Sequence, residues 1–169
     1  MQCKNIYRIV KSMLVSLSLL WCAGMVSASD RGGSLVLIGP GVISTDSREF
    51  ATSLPPDGNS LYFNRSAIPG VWQIWVSEKQ GERWGAAVKV TFSDNRYSDM
   101  DPFVSRSGDR LYFSSDRPLP GSASAAPTPD TNTWFAPLAG DEWGQPVYAG
   151  AIVNSAADET FFQKAPTGK

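Results

Sequence analysis

From Phe50 onward the chain is written in short apolar runs separated by turn formers. Residues 50–54 make one run. "PPDG" (55–58) follows, with Pro fixing φ and Gly able to take a positive φ. "SLYFN" (60–64) is aromatic and bounded by turn residues, the mark of a strand. "VWQIWVS" (71–77) alternates, which puts Trp72, Ile74 and Val76 on one face. "KQGERWG" (79–85) reads as the turn of a second hairpin and "AAVKVTF" (86–92) as a fourth strand. No stretch after residue 28 sustains a helical period, so the pattern predicts an all-β chain.

The pattern then repeats. With Gly58 placed on Gly108, an offset of 50, Leu61, Tyr62 and Phe63 fall on Leu111, Tyr112 and Phe113. Glu49 falls on Asp99, and Arg65 lies two places from the position of Arg117. Trp75 matches Trp134 and Trp84 matches Trp143, both at an offset of 59. The added residues lie in the Pro-, Ala- and Ser-rich "PLPGSASAAPTPD" (118–130), which reads as a surface loop. Glu159 and Gly168 then stand 60 beyond Asp99 and Gly108. Four short strands repeated at this length are the signature of β-propeller blades built from four-stranded antiparallel sheets. The expected division is a leader at 1–28, a lead-in strand at 29–46, one repeat at 47–96, a second at 97–156 with an insertion at 118–133, and the start of a third at 157–169. About two and a half repeats against the roughly 4–8 blades of a closed ring predict an incomplete propeller with an open sheet edge.

The phased stretches carry a resemblance. "PPDGNSLYFNRS" (55–66) and "SRSGDRLYFSSDRP" (105–118) resemble the WD40-like β-propeller repeats of TolB-like periplasmic proteins, which typically read "SPDGxxLYFxSDR". "ERWGAAVKV" (82–90) and "DEWGQPVYAGAIVNSAADE" (141–159) are similar to that family's link between blades. The resemblance covers residues 34–169. It implies a propeller of roughly six blades and a role in protein–protein interaction in the cell envelope. Two departures stand out: Asp57 of the first turn becomes Ser107 in the second, and "NTW" (132–134) lacks the acid often found before the aromatic residue.

The N-terminus changes where such a chain works. Lys4, Arg8 and Lys11 precede an apolar run at 13–21, and "VSA" (26–28) supplies small residues for a cut before Ser29, as in a secretory signal peptide. The run is shorter than the roughly 20 residues of a membrane span. Trp21 stands where lipid attachment at Cys22 would need a small residue, so a lipid anchor is not expected. Cleavage removes Cys3 and Cys22, leaving no Cys for a disulfide, a nucleophile or a metal site. The remaining 141 residues (169 − 28) carry 12 basic against 16 acidic side chains, with the basic ones scattered. That gives no footprint for nucleic acid. The absence of His removes the usual general base and the commonest metal ligand.

Among candidate site residues, the acids that open each unit come first: Glu49, Asp99 with Asp101, and Asp158 with Glu159. Carboxylates placed once per blade can hold a cation, and a pair can hydrolyse a glycoside. Their recurrence favours a structural role at the blade edge, because a catalytic pair breaks the repeat's symmetry. Trp75, Trp84, Trp134 and Trp143 sit at equivalent positions and read as packing residues, whereas Trp72 has no counterpart and is the candidate for an exposed contact. A hydrolase domain would need G-x-S-x-G and a His, and neither is present.

The sequence therefore predicts an exported, non-catalytic binding or scaffold module, periplasmic or extracellular, with no cofactor and no bound metal. Its expected partner is a protein, with self-association open to it through the free blade edge. Two alternatives accompany this reading: a carbohydrate-binding or carbohydrate-active propeller using the carboxylates, and a nonfunctional fragment of a longer propeller.

Overall fold

The structure, a computed structural model, describes residues 36–163. The leader pattern at 1–28, with Cys3 and Cys22, and the turn residue Gly168 lie outside the described residues. No helix is present among them.

Two antiparallel sheets follow one another along the chain. The first contains β1 (Arg48–Ser53), β2 (Ser60–Ile68), β3 (Val71–Gln80) and β5 (Val88–Lys89), paired in that order. The two-residue β4 (Arg83–Trp84) extends the hairpin at the end of β3. The second sheet repeats the plan with β6 (Asp99–Val104), β7 (Arg110–Ser115), β8 (Asn132–Ala139) and β10 (Val147–Tyr148), β9 (Glu142–Trp143) extending the hairpin. These are two four-stranded blades of a β-propeller, all-β as the alternation requires.

Turn chemistry fixes the hairpins. Gly58 and Gly108 take φ of +65° and +73°, which side chains rarely adopt, and each donates its N–H 2.9 Å to the carbonyl three residues back. In the second turn the missing Asp is replaced by a hydroxyl pair, Ser105 and Ser107 both donating to the Asp109 carboxylate. The repeated Trp-Gly also has a steric reason. A Cβ on Gly85 would lie 3.1 Å from the Glu78 carbonyl, and one on Gly144 would lie 3.2 Å from that of Pro137. Each of those carbonyls accepts the glycine N–H at 2.7 Å.

The period of two sends the residues of "LYF" to opposite faces. Leu61 and Phe63 pack with Ile43, and Trp75 and Trp84 cover them. Tyr62 points the other way, joining Ile74, Val90 and Phe92 against Val104, Leu111, Phe113, Trp134 and Ala136 of the second blade. Trp143 crosses this interface, its Nε1–H donating to the Tyr62 hydroxyl at 3.2 Å. The interblade face is therefore the main core.

The first strand of each blade carries a bulge. Between Phe50 and Ser53 two residues oppose one on β2, and the same shift occurs between Met100 and Phe103. Ala51 and Asp101 sit there with φ of +49° and +54°. Phe161, 60 residues after Asp101, takes φ +52° as well.

Candidate functional site

Glu49 and Asp99 hold one position in the two blades, and an Arg closes on each. Arg65 stands opposite Glu49 in the ladder and donates from Nε to Oε1 at 2.9 Å. Its Nη2 also donates to the Val42 carbonyl at 2.6 Å. In the second blade Ser115 takes the ladder position opposite Asp99, and the cation comes from Arg117. Arg117 Nη2 lies 2.7 Å from Asp99 Oδ2 and 3.1 Å from the Phe92 carbonyl, and Nε lies 3.2 Å from Oδ1. Phe92 is 50 residues after Val42, so this latch repeats down to its backbone acceptor.

Apolar rings enclose both cations. The Arg65 guanidinium lies over Phe63 and Trp75, and that of Arg117 over Phe92, Tyr97 and Phe113. Asp99 has no solvent exposure, and burial pushes its carboxyl up to about 6 against the pull of Arg117 and the Ser115 hydroxyl. Both acids are committed to an Arg that ties the blade to the segment preceding it.

The third acid is built in part. Thr45 caps Glu49 with its N–H and hydroxyl, and Ser155 caps Glu159 in the same way. Glu159 Oε2 is enclosed and has no hydrogen-bond partner among the described residues.

Asp101 differs from all three. The bulge turns its carboxyl away from the latch, and its N–H donates to Asn64 Oδ1 at 2.8 Å. Among the described residues Oδ2 accepts only a long bond, 3.4 Å, from the Phe161 N–H, while the buried Oδ1 has no partner. The residue is 7% exposed, and burial raises its carboxyl above the usual range. It lines a cleft of about 130 Å³ where the two bulges meet residues 161–163, together with Ala51, Ser53, Phe103, Phe161 and Gln163.

Trp72 does not line that cleft. It is half-buried, edge-on to Phe50 with ring centroids 4.7 Å apart, and its N–H donates to Ser98 Oγ at 3.3 Å. Among the described residues no three His, Cys, Asp or Glu side chains converge as metal ligands.

Sequence reasoning passed over Asn64. Fully buried, it donates from Nδ2 to the Asp99 carbonyl at 2.8 Å while Oδ1 holds the Asp101 N–H. The signal was available as a break in the repeat, since Ser114 replaces it in the second blade. The shared positive φ of Ala51, Asp101 and Phe161 left no such signal, because the three side chains are unlike. No family model and no curated protein matches this sequence.

Proposed function

We propose that this chain is an exported, non-catalytic binding module of the TolB-like kind, engaging a protein partner in the cell envelope. The leader pattern and the "LYF" repeats support export and the family reading. The observation that carries binding is Asp101, a buried carboxyl at the wall of a cleft with one oxygen that has no partner among the described residues. Such an oxygen accepts a hydrogen bond from an ammonium, a guanidinium or a backbone N–H.

Size and chemistry favour a protein over a small metabolite or a sugar. The cleft, about 130 Å³, is well below the roughly 300 Å³ at which drug-sized ligands begin to fit, and it suits one side chain of a larger partner. Glycoside hydrolysis uses two carboxyl groups, and the neighbouring Asp99 is held by Arg117.

The test is a photo-crosslinking residue at Gln163 in cells that produce the protein. One discrete protein adduct is expected, lost on Asp101→Ala. The reading is overturned if the same adducts arise from a crosslinker at the exposed Leu138, or if none form at Gln163.

A further inference from the structure

We infer that Asn64 is the positioning residue of the Asp101 cleft, so that the first blade must be seated on the second for the site to form. The inference rests on the binding reading of that cleft and names what regulates it, the contact between the blades.

The cleft is built from both blades. Ala51 and Ser53 line it from β1, and Asp101 and Phe103 from β6. Across that boundary Ser53 Oγ accepts the Val104 N–H in a long bond, 3.4 Å. The stronger tie is Asn64, which stands on β2 and has no solvent exposure.

Asp101 depends on that tie because its own sheet does not hold it. The register shift between Met100 and Phe103 takes Asp101 and Pro102 out of the β6–β7 ladder. Pro102 has no N–H to offer. Asp101 meanwhile sits at φ +54°, a conformation that lasts only where its surroundings impose it. Asn64 imposes it with both ends of one amide. Nδ2 donates to the Asp99 carbonyl at 2.8 Å, and Oδ1 accepts the Asp101 N–H at 2.8 Å. A third bond, from Nδ2 to the Gln73 carbonyl at 3.3 Å, fixes the amide to its own blade. The clamp closes on the two backbone groups that flank Met100. The Asp101 Cα follows directly, which sets the direction in which its side chain leaves the strand.

The hold is passed on. Asp101 Oδ2 accepts the Phe161 N–H at 3.4 Å, and Phe161 also lines the cleft. Ser114, the counterpart of Asn64, has a shorter side chain, and its buried Oγ has no partner among the described residues. Asp101 does for Phe161 what Asn64 does for Asp101, accepting the N–H of a residue at positive φ. Burial raises that carboxyl and the Phe161 N–H pulls it back, so release of the bulge to water shows in its titration.

The test sets Asn64→Ser, which copies Ser114, beside Ile74→Val, which trims the same interblade core and leaves the clamp intact. One readout is the Asp101 carboxyl titration, followed by carbon NMR on the purified protein. The other is the Gln163 adduct in cells. With Asn64→Ser the titration midpoint is expected to fall toward the ordinary carboxylate range, and the adduct yield about tenfold. Ile74→Val is expected to lower the melting temperature and to move neither readout. In the wild type, slow exchange of the Asp101 amide proton is expected, a measurement that needs no variant to fold. Equal effects of the two variants, a titration unmoved by Asn64→Ser, or fast exchange at Asp101 overturns the inference. A wild type that gives no Gln163 adduct overturns the binding reading instead, and the titration and exchange then decide whether Asn64 sets the acid.

Discussion

The Asn64 side-chain amide crosses from the first blade to the second and donates to the Asp99 carbonyl at 2.8 Å. The same amide bonds the Gln73 carbonyl at 3.3 Å, and its oxygen receives the Asp101 N–H. One buried side chain thus ties two strands of its own sheet to the bulge of the next. Asn64→Leu leaves those backbone groups unpaired, at about 1–3 kcal/mol for each buried group. A loss of roughly 3 kcal/mol in unfolding free energy is expected, read as a lower denaturant midpoint with the slope of the transition unchanged.

Two equivalent latches differ in burial, and their Arg residues are therefore expected to differ in weight. The Asp99 side chain has no exposure, while that of Glu49 retains 14%. Arg117→Ala strands a fully buried carboxylate, for a loss of about 3–5 kcal/mol. Arg65→Ala leaves an acid that water and Thr45 still reach, and a smaller loss is expected. Equal losses in thermal or chemical denaturation would show that burial does not set the difference.

How far the sequence reveals this depends on what each residue answers to. The "LYF" strands were legible because period two and a following turn are local matters, and Gly58 and Gly108 mark the turns. The latch was half legible: Arg117 sits two places from the Arg65 position because Ser115 fills the ladder site. The fourth strand read from the sequence at 86–92 pairs only at Val88–Lys89, with one further bond from the Val90 N–H to the Ile74 carbonyl at 3.0 Å. Val90 and Phe92 turn instead into the interblade core, a tertiary demand that alternation alone does not encode. The bulge was illegible, since Ala51, Asp101 and Phe161 share a backbone state and no side-chain chemistry.

That backbone state carries a cost at Ala51. A Cβ at φ +49° is strained, and Gly accepts the conformation freely. The greater freedom Gly gives the unfolded chain offsets part of the relief. Ala51→Gly is expected to stabilise by about 0.5–1 kcal/mol, and Ala51→Val, branched at Cβ, to destabilise by more than that. Paired thermal melts of the two variants check the sign of each.

Asp101 links stability, pH and binding. Burial raises its carboxyl in the folded state, while the unfolded chain keeps the ordinary value. The folded state therefore holds the proton more tightly. The stability this contributes is complete below the unfolded value, near pH 4, and is lost as pH rises through the folded one. Asp101→Asn removes the charge at every pH and tolerates φ +54°, which Asn adopts readily. Relative to wild type, the variant is expected to melt at about the same temperature near pH 4 and higher at pH 7. It is also expected to lose the Gln163 crosslink, because the amide presents no anionic oxygen to a cationic partner group. Higher stability with lost binding separates a group kept for recognition from one kept for the fold. Lower stability of the variant at pH 7 than at pH 4, measured against wild type, would show instead that the charged carboxylate stabilises the fold.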